Sequence, residues 1–317
     1  MKFEINRNLF LACMGLVISG DDSYDHHDAD LSHLAGRIRA AGFSSDARSW
    51  FAQARTGQVA VNPYWPRGSQ LAAACFFISG QYHFDLPSYA AFLRASGAPP
   101  DPLGAADFDG WIRGFPRFLR LLDAHPVTPR LWDDYCCIIQ ARFPLWRSMA
   151  ETSDRAAQRF FGRSAPEMVF SPNLFRPAIA DFVHIGYRVI TIAAWPDAET
   201  MLHETLHMAF GRYRETIAAF AQSHGLGGLA DQDKMLRLGY MADGSAQAAA
   251  RALEDCFVRA LSAVLSKAGE ERLAFHVHSG FTGVPLIASY IRRIQPTVKS
   301  LDTLIKAVFS HTAANRI

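Results

Sequence analysis

The sequence predicts an α+β protein, mostly helical, with a small mixed sheet beside the helix that carries its most distinctive motif. Three observations lead there. Apolar residues recur at helical spacing through much of the chain. Two short runs in the second half have strand character, the later one dominated by β-branched residues. After them comes His203-Glu204-Thr205-Leu206-His207 in an apolar setting, followed later by a long apolar helix. The chain has 317 residues, 50% of them hydrophobic and 20% charged, enough to bury a sizeable core. It divides into a mainly helical region over 1–163 and a motif-bearing region over 164–317, expected to pack as one compact unit.

The elements follow in order. Asn8 to Ser19 is apolar, and after Lys2 and Arg7 it has the look of a short export-signal core. Glu4 and the lack of a small-x-small site favour a folded amphipathic segment instead. Leu31, Leu34 and Ile38 mark a helix over Leu31 to Ala41. Ser88 fits the N-cap of a helix through Ala90, Phe92 and Leu93. Ala98 to Gly110, with three prolines, two glycines and three aspartates, reads as a loop. Trp111 to Leu122 reads as a helix interrupted at Pro116. Thr128-Pro129 is a cap followed by an N1 proline and opens a long helix towards Ala156, with a break expected at Pro144.

In the second half, Glu167 to Phe170 and Arg188 to Ala194 read as strands. Asp197 is the expected N-cap of the next helix. Gly225 to Asp233 is a glycine-rich connection. A strong helix over Ala246 to Lys267 is expected to close at Gly269. A last helical region covers Pro285 to Phe309, broken near Pro296.

Composition excludes some function classes. The net charge is +2, with no basic stripe, so nothing points to nucleic acid. No segment reaches the roughly 18 uninterrupted apolar residues of a membrane span. Of five cysteines, Cys136 and Cys137 are adjacent and no CxxC occurs. They are expected to be reduced thiols serving as small hydrophobes, which favours a reducing, cytoplasmic compartment.

The chemistry lies in residues 203–207, an HExxH. On a helix, positions i and i+4 share one face, so His203 and His207 can reach a single metal ion. Glu204 sits about 100° round the helix, beside the metal, where it can take a proton from the attacking water. With twelve His and nine Glu in the chain, a chance HExxH has a probability of about 1%. Met201, Leu202, Leu206, Met208, Ala209 and Phe210 make the helix apolar nearly all round. Two histidines and a glutamate buried there are costly unless something satisfies them, and one zinc ion per chain would do so.

The third ligand is sought downstream. Phe210 and Tyr213 occupy the positions where a metzincin extension needs Gly and His. Glu215 lies two turns beyond His207, and Glu270 and Glu271 follow Gly269 in a solvated setting. Glu254 shares a line with Val258, Leu261 and Leu265, an inward face, whereas Asp255 shares one with Arg259 and Ser262 and can pair with Arg259. Glu254 is therefore the expected ligand. Asp255, Asp231 and His224 are the alternatives, as is a buried arginine partner for Glu254.

The HExxH, the stretch Glu254-Asp-Cys-Phe-Val-Arg-Ala-Leu261 and the pair Gly280-Phe281 before a final helix together resemble a bacterial family of gluzincin-like metallopeptidases. The likeness covers roughly 165–310; the first half matches nothing. It implies a zincin-like fold and a cleft over the zinc, with an upstream edge strand for an extended substrate, which by analogy is Arg188 to Ala194. Gluzincins use a His or Tyr as oxyanion donor; His276, His278 and Tyr290 qualify by position, and His278 is preferred.

The cluster Asp25-His26-His27-Asp28, with Asp30 and His33, reads as a solvated helix start, and His184 as a half-buried histidine. Three functions fit. One is a zinc metallopeptidase acting on a peptide or protein, another a zinc hydrolase of non-peptide amides or of one dedicated protein partner. The third is a non-enzymatic binding module with structural zinc. Glu204 argues against the third, because a closed structural site has four protein ligands and no use for a base.

Overall fold

A computed structural model describes residues 2–22, 26–56, 67–95, 105–161, 167–175, 181–185, 188–193, 198–210, 213–224, 229–231, 233–234, 246–294 and 300–314. Helices dominate, with one four-stranded and one two-stranded sheet among the described residues. Two compact units emerge, Met1–Trp146 with Pro166–Trp195, and Arg147–Ala165 with Pro196–Ile317. The four-stranded sheet belongs to the first of these units, with the N-terminal helices.

In the first unit, strand β1 (Lys2–Phe3) leads into α1 (Arg7–Ile18), whose N-cap Asn6 accepts from the Leu9 amide at 3.0 Å. Every residue from Leu9 to Ile18 is buried, so α1 is enclosed rather than amphipathic. It packs on α2 (Ala29–Ala40), α3 (Ser45–Thr56), α4 (Arg67–Ala74) and a later helix. Gly15 permits the close approach to α3, since a Cβ there would stand 2.3–2.5 Å from the Phe51 ring.

Strands β2 (Ile78–Ser79) and β3 (His83–Phe84) form a small antiparallel pair. Asp85 accepts from the Ser88 amide at 3.1 Å and opens α5 (Leu86–Ala95), so the cap is Asp85 and Ser88 lies inside the first turn. Helix α6 (Ala105–Arg113) starts within the stretch expected as loop; 96–104 lie outside the described residues. Helix α7 (Phe115–Asp123) carries Pro116 in its first turn, where the missing N–H costs nothing. It is the remaining helix against α1.

Helix α8 (Thr128–Phe161) continues through Pro144, where a break was expected. The buried stripe Leu131, Tyr135, Ile139, Trp146 and Ala150 keeps its phase across the proline, so packing holds the helix despite one lost backbone bond. The Thr128 hydroxyl donates to the Leu122 carbonyl at 2.6 Å instead of capping.

The larger sheet runs β1-β4-β6-β5, with β4 (Glu167–Pro172), β5 (Asp181–Ile185) and β6 (Arg188–Ala193). β1, β4 and β6 are parallel and β5 is antiparallel to β6. β6 is therefore paired on both sides and cannot receive an extended substrate along an edge, which corrects the role expected for Arg188 to Ala194.

The second unit is a helical assembly. It contains α9 (Ala198–Phe210), α10 (Arg214–His224), α11 (Ala246–Leu265), α12 (Glu270–His278), α13 (Val284–Ile294) and α14 (Leu301–Ala314). Asp197, the expected cap of α9, lies outside the described residues. α11 is central and packs on α9, α10, α12 and α13. Leu202, Leu206 and Phe210 of α9 share one apolar cluster with Leu253, Phe257 and Leu261 of α11.

α11 closes at Lys267, which takes a left-handed φ of 58° while the Ala268 amide bonds the Ala263 carbonyl at 2.8 Å. Gly269 is extended and serves as N-cap of α12, so it begins a helix rather than ending one. Gly280 has φ 98° and ends α12, with the Phe281 amide bonding the His276 carbonyl at 3.0 Å. None of the five cysteines is in a disulfide; Cys13, Cys75 and Cys256 are buried, Cys137 exposed. No described helix is long and apolar enough to cross a membrane.

Candidate metal centre

The centre is built from α9 and α11. α9 is buried on most sides: Met201, Leu202, Thr205, Leu206 and Phe210 are 0–1% exposed, and the Thr205 hydroxyl satisfies itself on the Met201 carbonyl at 2.8 Å. His203 and His207, one turn apart, bring their Nε2 atoms to 3.1 Å. Across from them α11 delivers Asp255. Its Oδ1 lies 3.2 Å from His203 Nε2 and 3.4 Å from His207 Nε2. These three atoms form a nearly equilateral triangle. Ligand atoms held about 2.0–2.2 Å from a tetrahedral ion stand about 3.3–3.6 Å apart, so the triangle is within a few tenths of an ångström of one face of such a site. His203, His207 and Asp255 could hold a metal ion.

The expected ligand Glu254 is placed differently. Its Oε1 meets His207 at Nδ1, 3.2 Å away, on the opposite side of the imidazole from His203. Its Oε2 lies 3.8 Å from Arg214 Nε. A carboxylate on the far nitrogen fixes ring orientation and tautomer, as such outer partners of metal-binding histidines do. Asp255 does pair with Arg259, Nε to Oδ2 at 3.0 Å, as the i+4 spacing anticipates. The correction concerns the face. Ser262 is fully buried and Asp255 is 7% exposed, as is Glu254, so the polar line of α11 also points inward. Helical phase separates inside from outside only where one side meets water, and here neither does.

Charge supplies a second fit. Glu199, Glu204, Glu254 and Asp255 are all buried. The partly buried guanidiniums beside them are Arg259 and Arg272. With the more exposed Arg214 beside Glu254, four carboxylates face three guanidiniums, so these groups carry net negative charge if the imidazoles are neutral, and a metal cation would offset it.

Where no cation is bound, protonation of His207 alone supplies part of that charge, since the two imidazoles are pushed in opposite directions. Burial lowers His203 to about 4, aided by the neighbouring His207, against Asp255. Burial also disfavours charge on His207, but Asp255 and Glu254 outweigh it and, with Glu204, raise it to about 10. Burial likewise opposes ionisation of Asp255, yet Arg259 and the two histidines hold its carboxyl well below the ordinary range.

Behind Asp255 runs a chain of polar groups. Arg259 lies with its guanidinium 4.1 Å above the Phe281 ring and donates to His276 Nδ1 at 3.3 Å. His276, 1% exposed, therefore carries its hydrogen on Nε2 and donates to Glu199 Oε1 at 2.6 Å. Arg272 donates to Glu199 Oε2 at 2.8 Å. By position both His276 and His278 qualify, with His278 preferred, and no sequence pattern gives Glu199, Arg259 or Arg272 a role in the centre. His278 is exposed at the end of α12, with its carbonyl accepting from Lys234 at 2.8 Å. Tyr290 stacks on His311 at 3.9 Å. Neither has a described contact to the centre.

The other candidates also fall elsewhere. The Asp231 carboxylate accepts from the Lys234 amide at 3.0 Å, His224 stacks on Phe220, and Glu215, Glu270 and Glu271 are exposed. His26, His27, Asp30 and His33 are exposed and Asp28 N-caps α2, as a solvated helix start should, but the Asp28 carboxylate is largely covered and pairs with Arg142; Asp25 lies outside the described residues. Comparison with family models, curated proteins and solved structures gives no match for this chain.

Proposed function

We propose that the protein is a zinc-dependent hydrolase, most naturally a metallopeptidase of zincin-like build, binding one zinc per chain through His203, His207 and Asp255. The observation that carries this reading is the triangle of Nε2, Nε2 and Oδ1 with sides of 3.1, 3.2 and 3.4 Å, set beside a buried glutamate in an HExxH. Three protein ligands leave a tetrahedral ion one open position, the mark of a catalytic rather than a structural site. When bound, zinc supplies a Lewis acid for a carbonyl oxygen and a lowered pKa for water.

The rest falls to the chain. His203 and His207 would hold the ion through neutral Nε2 atoms, His207 releasing its Nε2 proton to solvent, and Glu254 holds the Nδ1 side of His207. Asp255 brings the charge that lowers the ion's net positive field. Glu204 takes the proton from the attacking water and hands it to the leaving nitrogen, so it acts first as base and then as acid.

The test joins elemental analysis of the purified protein to a cleavage screen on a peptide library and a set of simple acyl amides, with Glu204→Gln as control. One zinc per chain, and hydrolysis that disappears in the variant, are expected. A chain that takes up no zinc from zinc-replete buffer overturns the reading; cleavage of amides alone moves the substrate class away from peptides.

A further inference from the structure

Asp255 differs from an ordinary carboxylate ligand in that its second oxygen is already committed. Oδ1 faces the two histidines, while Oδ2 receives the Arg259 Nε–H at 3.0 Å. Arg259 has little freedom of its own. Its guanidinium rests on Phe281, and the ring is 0% exposed. A second nitrogen donates to His276 Nδ1, whose opposite edge is bound to Glu199, which Arg272 holds in turn. Four elements meet in this chain: α9 through Glu199, α11 through Arg259, α12 through His276 and Arg272, and the turn after α12 through Phe281.

A structural ion pair needs none of this depth. An isolated Asp–Arg pair at i,i+4 stabilises a helix by only a few tenths of a kcal/mol, and a buried one is weak evidence for stability. Burying a histidine and a glutamate and partly burying two arginines to support one carboxylate makes sense where that carboxylate must keep a fixed orientation.

We infer that Arg259, aligned by His276 and Glu199, is a positioning residue that makes Asp255 a one-oxygen metal ligand. The inference rests on the reading of His203, His207 and Asp255 as the metal ligands. With Oδ2 occupied by the guanidinium, Asp255 offers Oδ1 alone and the ion keeps a low coordination number. With Arg259 gone, both oxygens are free to chelate, and the carboxylate is free to rotate. Lysine cannot replace it fully, because a point charge on a flexible stem cannot hold Oδ2 and His276 at the same time.

The experiment measures zinc affinity by competition with a chromophoric chelator, and the visible absorption of the cobalt(II)-substituted protein, for wild type, Arg259→Met, Arg259→Lys and His276→Gln. Melting of each metal-free protein is recorded in parallel. The expected result is affinity about 10–100-fold weaker in Arg259→Met, the usual cost of losing an outer partner of a metal site. Arg259→Lys should recover part of that loss, and His276→Gln, one bond further away, should shift affinity in the same direction by less. The cobalt absorption should fall in intensity in Arg259→Met as the coordination number rises above four. His276→Gln keeps the test alive should Arg259→Met fold poorly. Wild-type affinity and an unchanged cobalt spectrum in Arg259→Met and His276→Gln, with only the metal-free melting lowered, would make the chain purely structural and overturn the inference. Failure of wild type to bind either metal would instead remove the reading it rests on.

Discussion

Helices α1 and α11 are enclosed in their respective units by opposite means. α1 is buried from Leu9 to Ile18 by apolar side chains alone. α11 is buried from Ala252 to Val258 with Glu254 and Asp255 in the middle of the run. The first burial is stabilised by removing apolar surface from water, roughly 25 cal/mol per Å². The second carries charge into a poor solvent and is tolerable only where opposite charge or a cation meets it. An enclosed apolar helix reports a core; an enclosed helix carrying ionisable groups reports a site.

The largest expected effect breaks the chemistry without touching the enclosure. Glu204→Gln keeps size and burial but removes the base. Turnover should fall about 10²–10⁴-fold while zinc stoichiometry and melting temperature of the loaded protein stay near wild type. The check is hydrolysis and zinc content side by side. Equal turnover in the two proteins would remove Glu204 from the mechanism and leave α9 as a helix whose charge has no chemical use.

The second effect separates the two neighbouring acids on α11. Asp255→Ala should abolish measurable zinc binding at micromolar protein, since two histidines alone hold the ion poorly and Arg259, close to them, then loses the Asp255 carboxylate. Glu254→Gln should weaken binding by only about 10–100-fold, because it loosens the His207 ring without removing a ligand. Isothermal titration with zinc reads both. Retention by Asp255→Ala and loss by Glu254→Gln would return the ligand role to Glu254.

A third effect belongs to α1 and sharpens the contrast. Gly15→Ala places a methyl group where the Phe51 ring stands, 2.3–2.5 Å away. Overpacking of that kind costs about 1–3 kcal/mol. Urea unfolding should show that loss, whereas zinc affinity of the folded protein should not change. A variant as stable as wild type would mean that α3 gives way easily and that α1 is less tightly enclosed than its burial implies.

Much of this was legible in the sequence. His203, Glu204 and His207 are fixed by one five-residue motif, because metal ligation at i and i+4 needs no knowledge of the rest of the chain. The strands at Glu167 and Arg188 showed through their β-branched and apolar character. Asp255 was misjudged for a reason of physics: helical periodicity assigns polar lines to solvent, and the line Asp255-Arg259-Ser262 is covered by other protein. His276, Glu199 and Arg272 converge from residues 199–276, and no local pattern encodes such convergence. In the Gly280-Phe281 pair, Gly280 supplies the left-handed turn and Phe281 the floor under Arg259. Only the fold discloses that purpose. Pro144 misled in the opposite sense, because a local rule against helix yielded to the buried stripe on either side of it.

The smallest effect concerns the outer end of the polar chain and appears only in acid. Burial by itself would raise the Glu199 carboxyl, but the His276 hydrogen bond and the Arg272 charge outweigh it, so in the folded protein it titrates below its ordinary range. The unfolded chain, with Glu at about 4.3, therefore binds the proton more readily than the folded one in the window just below that value. Stability from this group is complete above about pH 4.3 and is lost as pH falls through the folded value. Glu199→Gln removes the titration. The variant should be less stable than wild type at neutral pH, where Arg272 and His276 lose their anion, and the gap should narrow as the solution is acidified. Urea unfolding of the chelator-treated, metal-free proteins between about pH 3 and 6 reads the two curves. A gap that stays constant through that range would mean that Glu199 gains nothing from its partners on folding. The chain behind Asp255 would then end at His276.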